Sequence, residues 1–170
     1  RRVCMKSVIN FSIIIPCHNS SGFIEPLLKS IPNRPDLEVI LVDDYSSPGE
    51  LKATRDVFKS FLYGKSQFHV NTGINSAGVA RNIGIEKATG KWLIFSDSDD
   101  RFTDNLDDTL NKYSSSLSDI IFFRPASDSK KGNYLTSLYN NYTDKKISEK
   151  FLAYSHRSPW SKMIKRRLVE

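Results

Sequence analysis

Five short apolar runs, rich in β-branched and aromatic residues, recur along the chain with helical patterns between them. They are Phe11–Pro16, Glu38–Asp43, the weaker Gln67–Val70, Lys91–Ser96 and Asp119–Arg124. Continuous apolar runs of this length fit strands buried on both faces, as in a parallel sheet. Between the first two, Ser21–Ile31 sets Phe23, Ile24, Leu27, Leu28 and Ile31 at helical spacing. Ser47, Pro48 and Glu50 read as an N-cap with proline in the first turn, opening a helix over Gly49–Phe61. Val79–Ala88 is a short helix ended by Thr89-Gly90, and Thr103–Tyr113 is another with Thr103 as its cap. The strand–helix alternation predicts a three-layer α/β/α sandwich with a mainly parallel central sheet.

The chain length of 170 residues suits one domain that buries its own core. Residues 1–10 read as an N-terminal extension, 11–124 as the core and 125–170 as the start of a further region. Within that region, 125–146 is polar and reads as a loop or irregular hairpin. Ile147–Glu170 then reads as a helix, a turn at Ser158-Pro159, a strand Trp160–Ile164 and the start of a new helix. An ending there reads as a cut rather than a finished domain. Cys4 and Cys17 are the two cysteines, too few for a disulfide framework or a four-cysteine zinc site, and a reducing compartment is expected. The apolar stretch Val8 to Cys17 is too short to span a membrane.

Charge is unevenly placed. Residues 1–129 balance at −1, whereas residues 130–170 carry 10 basic and 3 acidic side chains, a balance of +7. Such a region meets phosphates, anionic lipid or an acidic partner, or forms a solvated helical face. Nucleic-acid binding is not expected, because the front of the chain is neutral and its strand ends carry carboxylates that repel a phosphate backbone.

Ligands of open α/β sheets sit beyond the carboxyl ends of the strands. Three polar clusters fall there: Pro16-Cys17-His18-Asn19, Asp43-Asp44-Tyr45-Ser46-Ser47 and Asp97-Ser98-Asp99-Asp100. Three carboxylates in four residues repel one another unless a cation or strong donors are present. Hard oxygen ligands suit Mg²⁺ or Mn²⁺, completed by substrate phosphates. In an extended segment Asp97 and Asp99 share one face and Asp100 the other. The competing reading is an acidic loop that caps the helix Thr103–Tyr113. Asp43-Asp44 suits a cap, a metal site or a ribose or base ligand. Arg81, in the first turn of a helix preceded by Gly78, can reach a phosphate or base carbonyl, or can pair with a nearby carboxylate. His18 suits stacking on a flat ring or a plain loop, and His69 and His156 read as structural.

Taken in order, FSIIIPCHNS, EVILVDDYSS and GVARNIGIEKATGKWLIFSDSDDRF resemble the nucleotide-binding half of glycosyltransferase family 2, which has the Rossmann-like GT-A fold. The resemblance runs from Phe11 to about Arg101 and more loosely beyond. It implies an inverting transferase that moves a sugar from a nucleotide-diphosphate sugar, UDP by analogy, to a saccharide or lipid-linked acceptor in surface polysaccharide synthesis. It implies that Pro16 and His18 line the base, His18 standing where the family has tyrosine. Asp44 would accept from a base ring N–H, Asp43 would support the turn and Arg81 would contact the nucleotide. Asp97 would face the ribose, and Asp99 would bind Mn²⁺ or Mg²⁺. Tyr45 stands where the family has glycine, at a position whose positive φ is costly for tyrosine. The family's catalytic base lies in an acidic motif beyond a segment that PWSKMIKRRLVE resembles. No catalytic residue is therefore assigned, and neither Glu149 nor Glu170 has the expected context. The expectation is a cytoplasmic protein that binds donor and is poor in transfer alone, its basic C-terminal quarter facing the inner membrane surface.

Two other classes remain for comparison. A non-catalytic nucleotide-sugar-binding module would use the same residues. A phosphoacceptor receiver domain expects its acidic pair after the first strand and a lysine after the fifth, where this chain has Pro-Cys-His-Asn and Arg124-Pro125.

Overall fold

A computed structural model describes residues 8–61, 65–125, 134–156 and 158–169. Cys4, Glu170 and residues 126–133 of the polar segment lie outside the described residues. Six strands form one sheet in the order β3-β2-β1-β4-β6-β5. They are β1 Phe11–Cys17, β2 Leu37–Asp44, β3 Lys65–Asn71, β4 Trp92–Phe95, β5 Ile120–Phe122 and β6 Lys162–Lys165. The first four run parallel, and β6 is antiparallel to both β4 and β5. The expected mainly parallel α/β architecture is present. The last strand inserts between β4 and β5, an order that local sequence does not encode.

Every residue of β1 and β2 is buried. Their side chains alternate between two layers, as the strand period dictates. Phe11, Ile13 and Ile15 pack with Leu27 and Leu28 of α1 (Ile24–Lys29), Phe58 of α2 (Pro48–Lys59) and Leu110 of α4 (Leu106–Tyr113). Ile14, Ile40 and Val42 face Ala80 of α3 (Ala77–Lys87) on the other side. Gly84 lets α3 approach β1 closely: a Cβ there would stand 2.3 Å from Ile14 Cγ2.

Cap chemistry explains where several helices begin. Ser47 caps α2, its Oγ accepting from Glu50 N–H at 3.4 Å, with Pro48 at the first position. Thr103 does not cap α4: that helix starts at Leu106, and Thr103 contributes its carbonyl to Leu106 N–H instead. The acidic cluster 97–100 is thus separated from α4 and does not cap it. The segment 125–146, expected as a loop or hairpin, contains α5 Tyr134–Thr143. Its Leu135, Leu138 and Tyr139 pack on Leu152 of α6 (Glu149–Ser155). The low intrinsic helix preference of its Asn, Thr and Tyr residues is overridden by that burial.

The strand starts are tied by a buried carboxylate. Glu38 is 1% exposed. Its Oε1 accepts from Ser12 Oγ at 2.6 Å, Thr89 N at 2.6 Å and Gly90 N at 3.2 Å. A Cβ on Gly90 would meet Ser12 Oγ at 2.6 Å and backbone atoms of Phe11 and Ser12 at 2.7 and 2.8 Å. Gly90→Ala is therefore expected to cost about 1–3 kcal/mol, the usual penalty of overpacking, read as a lower urea midpoint.

His156 is 3% exposed, its ring 5.0 Å from Phe122 and 6.0 Å from Tyr139. Neither ring nitrogen has a partner among the described residues. Burial first, then nearby Lys162, lowers its pKa below the ordinary 6.5. The unfolded chain then takes up a proton that the folded chain refuses, so stability falls as pH drops below about 6.5. The loss levels off once pH passes the lowered folded value. His69, lowered by burial and Lys87, adds in the same direction. Thermal melts from pH 7.5 to 5 are expected to show this loss, and His156→Phe to flatten the slope by up to about 1.4 kcal/mol per pH unit.

Candidate functional site

The carboxyl ends of β1, β2 and β4 and the first turns of α3 enclose a cleft of about 370 Å³. Pro16, His18, Asp44, Arg81, Asp97 and Asp99 all line it, together with Cys17, Phe23, Ala77 and Ser98. Residues from four separate segments of the sequence meet there because parallel strands end on one side of the sheet.

The β1 and β2 ends are laced together. His18 Nδ1–H donates to the Asp44 carbonyl at 2.6 Å, and Asn19 Nδ2 donates to His18 Nε2 at 3.0 Å. These partners set Nδ1 as the donor and Nε2 as the acceptor. Asn19 N–H donates to Ser46 Oγ at 2.8 Å and Ser47 N–H to Asn19 Oδ1 at 3.0 Å. Asp43 is 1% exposed and holds the turn through Oδ2, which accepts from Ser46 N–H at 3.1 Å. Cys17 lies beneath, and its thiol is pushed well above its ordinary range by burial, then by Asp43 and Asp44. It stays a neutral thiol and offers no nucleophile.

Tyr45 adopts φ 61°. That left-handed conformation is costly for a side chain with a Cβ, by order 1–3 kcal/mol. Its phenol donates to the carbonyls of Thr72, at 3.0 Å, and Gly73. The hydroxyl thus anchors the strained residue to the β3–α3 loop, which explains how tyrosine is accommodated where glycine is usual.

The acidic cluster is not extended. Asp100 N–H donates to the Asp97 carbonyl at 3.1 Å, which closes a tight turn. Asp97 and Asp99 face the cleft through this turn rather than through strand alternation. The Asp100 carboxyl is raised by burial, then by Asp99 and Asp97, a sign of accumulated negative charge. Arg81 answers part of it, its Nη2 donating to Asp97 Oδ1 at 2.6 Å. The guanidinium is paired with a carboxylate and lines the cleft at once. Its Nε is buried without a partner among the described residues. Among the described residues no three His, Cys, Asp or Glu form a cation cage. The donor set fits a different kind of site, one or two carboxylates completed by substrate phosphates, as Mg²⁺ and Mn²⁺ commonly accept.

Gly78 lies inside the first turn of α3 rather than before it. Ser76 is the cap, with Oγ accepting from Gly78 N–H at 3.2 Å. Sequence reasoning passed over three supports. Ser20 is fully buried and its Oγ lies 3.0 Å from Ser98 Oγ, which joins the β1 loop to the acidic turn. Glu50 Oε2 accepts from Ser21 N–H at 3.2 Å. Asn71 Nδ2 donates to Asp44 Oδ1 at 2.7 Å. Asn71 was findable, since it ends a strand on the ligand side of the sheet. The serines were not, because their partners are distant in sequence. Glu149, exposed in the first turn of α6, does not line the cleft.

Known proteins resemble this chain in sequence and in fold. The amylovoran biosynthesis glycosyltransferase AmsB of Erwinia amylovora is 35% identical over 99 residues, 55% of this chain and 32% of AmsB. The poly(ribitol-phosphate) β-N-acetylglucosaminyltransferase TarS of Staphylococcus aureus is 32% identical over 97 residues, 55% of this chain and 17% of TarS. The crystal structure of TarS 1–349 in complex with UDP-GlcNAc matches 95% of this chain and 46% of that one, with a TM-score of 0.73 and 24% identity. The mannosyltransferase PcManGT of Pyrobaculum calidifontis, in complex with GDP-Man and Mn²⁺, matches 94% of this chain and 45% of its own, with a TM-score of 0.69 and 17% identity. At those identities the two structures establish the shared GT-A fold. The chain spans less than half the length of each of these proteins. A family model described as glycosyl transferase family 2 matches residues 12–170, almost the whole sequence, and the chain belongs to that family.

Proposed function

We propose that the cleft binds a nucleotide-diphosphate sugar, with UDP as the nucleotide, for transfer to a saccharide or lipid-linked acceptor in surface polysaccharide synthesis. The observation that carries this reading is the convergence of Asp44, Arg81, Asp97 and Asp99 on one cleft. Those groups match the parts of such a donor in order. Asp44 offers a carboxylate oxygen to a base N–H, and Pro16 and His18 offer flat surfaces to the ring. Arg81, held by Asp97, offers a guanidinium to the diphosphate. Asp97 serves the ribose side, and Asp99 is the carboxylate that would hold Mn²⁺ or Mg²⁺. A bound divalent cation supplies Lewis-acid neutralisation of the diphosphate leaving group.

The chemistry is substitution at the anomeric carbon. The acceptor hydroxyl oxygen forms the new bond as the glycosyl–phosphate bond breaks, and the bonding pair leaves on the diphosphate. Attack from the face opposite the leaving group inverts the configuration. A general base must take the acceptor proton, and no residue of this cleft is assigned that role. Residues 11–124 are read as the donor-binding core and 125–170 as the start of the acceptor side. The basic stretch 130–170 is read as the part that meets the inner membrane face, in a cytoplasmic protein. TarS in complex with UDP-GlcNAc and PcManGT in complex with GDP-Man and Mn²⁺ support a donor of this chemical class.

Calorimetric titration of UDP with and without Mn²⁺ tests the reading. Wild type is expected to bind at least tenfold tighter with the metal, and Asp99→Ala to lose that difference. Metal-independent binding in wild type would remove Asp99 from its assigned role. No binding of UDP under either condition would remove UDP as the nucleotide.

A further inference from the structure

Asn71 ends β3 and is 3% exposed. Its amide is fully engaged. Nδ2 donates to Asp44 Oδ1 at 2.7 Å and to the Ile74 carbonyl at 2.8 Å, and Oδ1 accepts from Gly73 N–H at 2.9 Å. The reverse orientation would set the amide oxygen against a carboxylate and a carbonyl, so these partners fix which way the amide points. Ser76 N–H also donates to Asp44 Oδ1, at 3.1 Å. Two donors from the β3–α3 segment therefore converge on one oxygen of Asp44. Asp44 is itself 5% exposed and lines the cleft, so among the described residues Oδ2 is the oxygen left for a ligand.

We propose that Asn71 is a positioning residue that fixes Asp44 as an acceptor in one direction, and so makes the site prefer a base with a ring N–H over one with a ring lone pair there. In pyrimidine terms, a uracil imide is accepted and cytosine is not. The inference rests on the reading of the cleft as a nucleotide site. Asparagine suits the task because it donates to the carboxylate without adding charge. A lysine would neutralise Asp44, and an aspartate would repel it. The other ionisable groups around Asp44 leave this role to Asn71. Asp43 turns to Ser46 N–H, His18 bonds the Asp44 carbonyl rather than its carboxylate, and the Cys17 thiol stays neutral.

Titrating UDP and CDP separately into wild type, Asp44→Ala, Asn71→Ala and Asn71→Asp tests this, with thermal melts showing that each variant is folded. Wild type is expected to favour UDP. Asn71→Ala is expected to weaken UDP tenfold or more while CDP moves by less than about twofold, since a hydrogen bond to a charged group is lost. In Asn71→Asp two carboxylates at hydrogen-bonding distance share one proton. Its UDP binding is expected to be weak at pH 8 and to recover towards pH 5.5, relative to wild type over the same range. Where Asn71→Asp does not fold at pH 8, the UDP-to-CDP ratio of Asn71→Ala decides. Equal loss of UDP and CDP in Asn71→Ala would make Asn71 a structural residue and overturn the proposal. Unchanged UDP affinity in Asp44→Ala would overturn the reading of the cleft and the proposal with it. Loss in Asp44→Ala without loss of selectivity in Asn71→Ala would overturn the proposal alone.

Discussion

The Glu38 carboxylate sets the register on which the cleft depends. It is buried at the start of β2 and bonded to Ser12 at the start of β1 and to Thr89 and Gly90 just before β4. Ser12 Oγ closes the knot by accepting from Gly90 N–H at 2.9 Å. A buried carboxylate costs several kcal/mol unless donors satisfy it, so only the alignment that supplies these donors is stable. That alignment pairs Ser12 with Glu38 and, at the far end of the same strands, Cys17 with Asp43. His18 then falls beside Asp44. A slip of one residue would turn every side chain of β1 to the opposite layer and unmake both ends.

At the carboxyl ends of the strands the loops are tied to one another by their own hydrogen bonds. Asn19, Ser46 and Ser47 exchange hydrogen bonds across the β1 and β2 ends. Tyr45 holds its strained backbone by bonding the β3–α3 loop, and Ser20 meets Ser98 of the acidic turn. Ordering of loops is a cost that binding otherwise bears. Here the fold bears much of it in advance, and the Arg81–Asp97 pair keeps a cation beside the carboxylates. Repulsion within the acidic turn is left only partly answered, and the Asp100 carboxyl is raised by burial and by Asp99 and Asp97.

Much of the fold was legible because β1 and β2 are buried on both faces and read as unbroken apolar runs. The start of α2 was legible because Ser47-Pro48 is cap chemistry that acts within a few residues. The helix Tyr134–Thr143 was not, since its residues have weak helical preference and its stability comes from packing on α6. The start of α4 was misplaced because Thr103 can cap in principle, but its hydroxyl bonds Asn105 instead. For the cleft, the chemistry at the ends of β1, β2 and β4 was visible as polar clusters after apolar runs. The turn geometry of Asp97–Asp100 was not, since the same residues could continue a strand.

By itself the sequence determined which segments become strands, that they run mainly parallel, and which carboxylates and cations stand at their ends. Periodicity and cap residues report burial and backbone preference over a few positions, and that suffices for those features. Only the tertiary structure decided that β6 lies between β4 and β5, that Arg81 pairs with Asp97 across 16 residues, and that Asn71 pins Asp44 across 27. Ser20 and Ser98 meet across 78 residues. Such partners are chosen by strand register and loop path, which emerge only when the buried faces and the buried Glu38 are satisfied together.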